Sequence, residues 1–416
     1  MSFQQGLSGL NAATKSLEAI GNNVANANTV GFKQSQVQFS DVYANSLVGS
    51  GGTQIGIGTQ VSRVAQQFSQ GNVTASNNPL DMAINGGGFF RMSNNGAISY
   101  ARNGQFILSK EGYIESASGQ RLTGYLADAN GTVAIGAPGE LRIDKADLAP
   151  AATTNYELKL TLDSRKAVLP AASFDPTDPT TFSDSTSVPV FDSLGNSHIL
   201  RTFYVKTASG AAGATWTVFA TNDDVPIGYV PPAAPVPLGT MDFNNGGVLT
   251  GTTPSPLVAA MAVTSGAATP FNISIDSTGT QQFAQDFGVA KQLPDGYAAG
   301  TLTGFSVSTN GEIVGRYTNG QVNILGQVIL SSFANPNGLQ NIGDNQWVET
   351  AESGVPLTST PGSSGLGAVQ SSRVEDSNVD LTAELVNMIT AQRYYQANAQ
   401  TIKTQDQILQ TLVNLR

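Results

Sequence analysis

The chain contains no cysteine. Disulfide staples, thiolate nucleophiles and cysteine-ligated zinc are thereby excluded, and the chain can pass through an oxidising compartment without cross-linking. Charge is scarce as well. Asp, Glu, Lys and Arg make up 12% of 416 residues, about half the share in an ordinary soluble domain. The formal net charge of -10 argues against a nucleic-acid partner, because phosphate binding needs clustered Lys and Arg. No apolar run approaches the ~20 residues that span a bilayer, so membrane insertion is not expected. The first positive side chain is Lys15, and polar residues interrupt the apolar positions before it, so no cleavable signal peptide is expected.

Chemistry-bearing residues are equally thin. The single histidine, His198 in "SLGNSHILRTF", has no cysteine or second histidine to complete a metal site and no G-x-S-x-G elbow nearby. "GGTQIGIGTQ" (51–60) lacks the spacing of a phosphate cradle. "DANG" (128–131) resembles the start of a calcium loop, but position twelve is Gly139 rather than Glu. "FDPTDP" (174–179) favours turns. No catalytic, metal-binding or cofactor-binding residue is expected, and the chain is not expected to be an enzyme.

Proline is missing from both ends: all 19 prolines fall between Pro79 and Pro361. Proline inside a helix costs about 3 kcal/mol, so the segregation marks the flanks as helical. In the first flank Phe3, Leu10, Leu17 and Val24 recur every seven residues, with Leu7, Ala13, Ile20 and Ala27 in the adjacent column. In the last flank Leu381, Met388, Tyr395, Ile402 and Leu409 do the same, joined by Leu385, Ala399, Leu412 and Val413. A seven-residue apolar repeat predicts helices that pack lengthwise on other helices. Asp380 is placed to cap the second helix, with Glu384 near its positive end.

Between the flanks, "GFFRMS", "AISYARNGQFILS", "GYIES" and "QRLTGYL" alternate like short strands separated by turn signals, and the texture returns over 303–333. Residues 150–295 are richer in Pro, Thr, Ala and Ser, with strand candidates such as "YELKLTLD" and "HILRTFYVKT". The expected fold is mainly β with α-helical termini, in a nested chain. Such terminal helices have no obvious core of their own to join. They look made for partners.

"NNVANANTVGFKQS" (22–35) follows the apolar repeat of the first flank and carries one charge, Lys33, beside four asparagines. Asn22, Asn23, Asn26 and Asn28 are expected where the helix ends and the chain turns away, with Gly31 allowing the sharp change of direction and Phe32 and Lys33 completing the motif. Amides both donate and accept, so they can satisfy crowded backbones without the desolvation cost of charge.

The two flanking signatures, "GLSGLNAATKSLEAIGNNVANANTVGFKQS" and "NVDLTAELVNMITAQRYYQANAQTIKTQDQILQTLVNLR", together with "NGGGFFRMSNNGAISYARNGQFILSKEGYIESASGQRLTGY", resemble the axial proteins of the bacterial flagellum, the rod and hook group. "FDPTDPTTFSDSTSVPVFDSLGNSHILRTFYVKT" with "TWTV" resembles the outer domain of the hook members, which the shorter rod members lack; 221–295 is where the resemblance is weakest. The resemblance implies a structural subunit of the hook, a curved hollow tube that polymerises head-to-tail and transmits torque from the rod to the filament as a flexible universal joint. A distal rod subunit is the alternative, and an exported β-rich adhesin a more distant one.

It also implies four parts: a helical inner domain (1–30 with 372–416), an extended connector (31–75 with 355–371), a β-rich middle domain (76–148 with 296–354) and an inserted β-rich outer domain (149–295). The terminal helices pair as a coiled-coil-like layer. Subunit-interface positions would be Phe3, Leu7, Leu10, Leu17, Ile20, Val24, Leu381, Leu385, Met388, Tyr395, Ile402, Leu409 and Leu412. Implied partners are further copies of the chain, the distal rod protein, the hook cap protein, the hook-filament junction protein, the hook-length control protein and the flagellar type III export apparatus. The implied location is the basal body and hook, outside the cell surface after export.

Overall fold

A computed structural model describes residues 2–42, 56–128, 131–143, 147–211, 213–228 and 236–414. Among the described residues the α-helices occur at the two ends, and strands joined by turns and two short 3-10 helices make up the middle. Helix α1 (Ser2–Ala25) and helix α2 (Leu381–Asn414) are both shorter than the proline-free flanks. Asp380 stops α2 from starting earlier, because its Oδ1 accepts the N–H groups of Thr382 and Ala383 at 2.9 and 3.1 Å, an N-cap that satisfies two otherwise orphaned donors. The chain divides into two compact units.

The first unit comprises Met1–Lys145, Gly304–Arg316 and Val322–Arg416. Its sheet draws strands from both sides of the insertion: Phe89–Asn94 pairs antiparallel with Leu330–Ser332, and Ala97–Ala101 with Gln346–Val348. The aromatic cluster Phe89, Tyr100, Phe333 and Trp347, with Phe68 against it, packs edge-to-face at 4.8–5.9 Å, a geometry that complements ring quadrupoles. The segment expected as an extended connector is an antiparallel hairpin, Ser35–Val42 with Gly58–Gln66. Part of "GGTQIGIGTQ" (51–55) and part of "DANG" (129–130) lie outside the described residues.

The second unit is Ala146–Thr303 with Tyr317–Gln321, a sandwich of a five-stranded and a six-stranded sheet. Tyr156, Leu158, Leu160 and Leu162 alternate along Asn155–Asp163 and pack on Val190, Tyr204, Trp216 and Val218 of the other sheet. That is the period-two pattern of a strand with one face in a core. Strands between 239 and 294 complete both sheets, which gives the unplaced stretch 221–295 its role. "FDPTDP" folds over the outer face of the six-stranded sheet, where Phe174 stacks on Phe219 at 4.2 Å. Asp175 and Asp178 each accept an N–H two residues on, at 2.9 Å, as turn-forming side chains do.

Candidate functional site

The two ends of the chain meet in an antiparallel helix pair. Gly6 faces Ile402, Gly9 faces Asn398 and Asn23 reaches Glu384. The α1 face that does this is lined by Gly6, Gly9, Ala13 and Asn23, three to four residues apart along the start of the helix, the spacing of one helical stripe. The α2 face offers Glu384, Ala391, Asn398 and Ile402. The approach is close: a Cβ added at Gly9 would lie 2.7 Å from Asn398 Oδ1, and one at Gly6 3.1 Å from Ile402 Cγ1. The other flank of α1 lies along the hairpin, where Gln5 Nε2 donates to the Gly56 carbonyl at 2.6 Å and Thr59 N to Ser8 Oγ at 3.3 Å.

The large apolar residues of the seven-residue repeat mostly stand elsewhere. Phe3, Leu7, Leu381, Leu385, Tyr395 and Leu409 are exposed, each by 38% or more. Leu10, Leu17, Ile20, Val24, Met388 and Ile402 are half-buried. The side chain of Leu412 lies outside the described residues. The sequence repeat thus located the helices and included Ala13 and Ile402 of the pairing stripe, but it passed over Gly6 and Gly9, because glycine carries no hydrophobic weight while permitting the closest backbone approach. The signal available was Gly6-x-x-Gly9-x-x-x-Ala13 inside a proline-free helix.

In the last turn of α1, where Asn22 and Asn23 lie, and just beyond it, the asparagines do different work. Asn23 is buried; its Nδ2 donates to the Ser35 carbonyl and its Oδ1 accepts the Ser35 N–H, both at 2.9 Å. Asn26 Nδ2 donates back to the Asn22 carbonyl at 3.0 Å, and Thr29 Oγ1 donates to Asn26 Oδ1 at 3.2 Å. Asn22 and Asn28 side chains are exposed. Gly31 has φ of 72°, donates its N–H to the Glu375 carbonyl at 2.8 Å, and runs so close to the middle strands that a Cβ would lie 2.5 Å from Asn103 N. Only glycine meets both demands. Phe32 is buried.

Lys33 closes the motif on a buried ionic junction. Its Nζ contacts Glu375 Oε1 at 2.7 Å and donates to the Ser69 carbonyl at 2.8 Å; Arg102 Nη1 meets Glu375 Oε2 at 3.2 Å and its Nη2 donates to the Gly86 carbonyl at 2.8 Å. Gly71 N–H adds a third bond to the carboxylate at 2.9 Å. The side chains of Lys33 and Glu375 are fully buried, and Arg102 nearly so. Burial pushes the Lys33 ammonium pKa down, against the opposing pull of Glu375 and with a further push from Arg102; burial likewise lowers that of Arg102 against Glu375.

Around this junction Asn378 ties two segments together, its Oδ1 accepting Gln34 N–H and its Nδ2 donating to the Gln67 carbonyl, both at 2.7 Å. Glu375, Arg102 and Asn378 were invisible to composition and spacing, since each finds a partner hundreds of residues away; Glu384 was visible as an acidic residue at the start of α2, but its contacts with Asn23 and Gln34 were not. The arrangement binds together the first turn after α1, the middle strands and the approach to α2.

His198 lies in the second unit, between two carboxylates. Its Nδ1 lies 2.7 Å from Asp223 Oδ2 and its Nε2 3.4 Å from Asp192 Oδ2, so carboxylates face both nitrogens. Burial lowers its pKa, but the two carboxylates outweigh that and hold it above the usual 6.5. Among the described residues no group of three or more His, Asp or Glu side chains could hold a metal ion.

Four family descriptions match in chain order: Flagella basal body rod protein over 3–33, Flagellar hook protein FlgE/F/G D1 domain over 83–153, Flagellar basal body protein FlaE D2 domain over 161–297, and Flagellar basal body rod FlgEFG protein C-terminal over 370–415. Among curated relatives, the Flagellar hook protein FlgE of Salmonella typhimurium is 39% identical over 420 residues, covering 100% of both chains. That of Escherichia coli K12 is 38% identical over 419 residues at the same coverage. The FlgE of Borreliella burgdorferi is 30% identical, with 100% of this chain and 99% of the relative covered. The crystal structure of Helicobacter pylori flagellar hook protein FlgE2 shares the fold at 14% identity, with a TM-score of 0.55 over 73% of this chain and 100% of that one. With its full length matched and all four segments in order, the chain belongs to the flagellar hook protein FlgE family.

Proposed function

We propose that the chain is a structural subunit of the bacterial flagellar hook, without catalytic activity, and that copies join head-to-tail into a curved hollow tube that transmits torque from rod to filament. The observation that carries this reading is how α2 distributes its apolar side chains. Val386 and Tyr395 are both exposed and stand nine residues apart, which at ~100° per residue puts them on opposite sides of the helix. Leu381, Leu385, Ile389, Ile408 and Leu409 are exposed at other angles. A dimer would cover one side; covering all of them needs several neighbours, as a tube provides. Full burial of a large apolar side chain contributes about 1.5–3 kcal/mol, so a few half-exposed residues per helix supply a substantial drive to assemble.

Three points extend the reading. The four-part division expected from the sequence applies, with the first compact unit holding the helical layer, the connector and most of the middle domain, and the second the outer domain together with 146–148, 296–303 and 317–321. The exposed residues Phe3, Leu7, Leu381, Leu385, Tyr395 and Leu409 belong to the subunit contacts. Rod, cap, junction, length-control and export components are the partners, and the hook outside the cell surface is the location. Supporting these points is the full-length kinship with proteins named flagellar hook protein.

Electron microscopy tests the proposal. Purified full-length chain is concentrated in precipitating salt, with isolated hook fragments as seeds, beside a chain lacking 1–30 and 378–416. Curved tubes from the full-length chain alone are expected. Straight tubes would point to a rod subunit, and tubes from the shortened chain would overturn the assignment of assembly to the terminal helices.

A further inference from the structure

Two glutamates near the junction are equally buried but not equally served. Glu375 has two cations and a backbone N–H. Glu384, 3% exposed in the first turn of α2, has amide side chains only: Gln34 Nε2 at 2.7 Å on Oε1 and Asn23 Nδ2 at 3.4 Å on Oε2. No Lys, Arg or His among the described residues pairs with it. An ionised carboxylate can accept about four hydrogen bonds, and the described residues supply Glu384 with two side-chain donors. It borders a polar cavity of about 510 Å³ that Ser16, Asn23, Gln34, Gln67 and Asn387 also line. The cavity is large enough to receive a side chain.

The complementary group is on the same helix, facing the other way. Arg393 is exposed and makes no hydrogen bond or ion pair among the described residues. It follows Glu384 by nine residues, which at ~100° per residue is half a turn round. Its guanidinium therefore points away from the groove that Glu384 borders and cannot serve its own chain's carboxylate.

We propose that, in the assembled tube, Arg393 of one copy enters the cavity beside Glu384 of a neighbouring copy and supplies the missing cation. A guanidinium matches a carboxylate's two oxygens with a planar fork of donors. Because the two groups lie on opposite sides of α2, one neighbour cannot meet both at once, so the contact is heterologous and each copy presents both halves. Such a contact propagates rather than closing into a dimer. It also fixes the axial offset between neighbouring α2 helices, which apolar contacts alone leave loosely specified. The inference rests on the hook reading above.

The test measures the critical concentration for tube growth from seeds with the full chain. Arg393→Gln touches no contact within the subunit, so the monomer fold is unaffected; Glu384→Gln keeps the shape of the amide network. Each is expected to raise the critical concentration about tenfold, the worth of one charge-assisted contact. The double variant is expected to be no worse than either single one, because both remove the same contact. Lys403→Gln, another exposed cation on α2, is expected to change nothing. If Arg393→Gln grows tubes at the parent's concentration, or if the two single effects multiply in the double variant, the pairing is overturned while the hook reading stands. A parent chain that adds to no hook seed overturns both.

Discussion

Replacing Glu375 by Gln removes the one negative charge from a site holding two positive ones. The side chains of Lys33 and Glu375 are fully buried, and Arg102 Nε makes no hydrogen bond among the described residues, so neither cation has solvent to fall back on. Breaking a buried ion pair by deleting one partner costs about 3–5 kcal/mol, because the charge left behind is uncompensated. For a unit of this size, each kcal/mol moves the melting temperature by about 2–4 °C, giving an expected drop of roughly 6–20 °C. Trp347 sits in the first unit and Trp216 in the second, and they are the two tryptophans of the chain. In a Trp216→Phe background, fluorescence therefore reports the first unit alone. Lys33→Met is the informative companion. It removes the excess positive charge and leaves the Arg102–Glu375 pair neutral and intact, so its cost should be well below that of Glu375→Gln. If Glu375→Gln melts within about 2 °C of the parent, or if Lys33→Met is the more damaging, the electrostatic account of the junction is wrong.

Further outcomes are expected from glycine, histidine and the helices. Gly31→Ala places a side chain in the left-handed region and against Asn103 N, and should cost at least about 2 kcal/mol in urea unfolding. Gly21→Ala in α1 meets nothing within 4 Å and should instead stabilise by about 0.5–1 kcal/mol. His198 should titrate above 6.5 by NMR, and Asp223→Asn should bring the value down. With the folded-state pKa raised, its contribution to stability is fully present below 6.5 and lost as pH rises through the folded value; Trp216 fluorescence melts across that window should decline accordingly, and a rising melting temperature would refute the sign. Removal of 1–30 and 378–416 should abolish tube formation, as seen by electron microscopy.

What the sequence displayed and what it hid divide along the range of the interactions involved. The absence of proline in the flanks and the period-two runs in the middle are local consequences of backbone geometry, so the helices and strands were legible. Asp380 was legible as a cap for the same reason. The seven-residue repeat showed where helices run but not the full face each keeps for its own partner, since Gly6 and Gly9 contribute close approach rather than hydrophobicity. The amide stretch was legible as a turn; that Asn23 would grip the Ser35 backbone while Asn22 and Asn28 stayed outside depended on packing with the hairpin and α2. Within the segment expected as an extended connector, Ser35–Val42 pairs with Gly58–Gln66, and that partner strand lies across the undescribed residues 43–55. Arg102 and Glu375 were hidden altogether, because a pair separated by 273 residues leaves no trace in periodicity or composition.

The bond from Lys33 to Glu375 spans 342 residues. Any process that delivers this chain from its first residue onward must therefore bring out nearly all of it before the junction can form. Until then Lys33 has no counter-charge, the Gly31 N–H has no acceptor, and α1 has no α2 to lie against. Local hairpins close early because their loops are short, whereas contacts between chain ends wait for the greatest loop-closure cost. The junction thus acts as a test of completeness. A chain truncated before Glu375 can still fold its sandwich, yet it cannot dock its ends, and so it cannot offer growing tubes a paired set of helices.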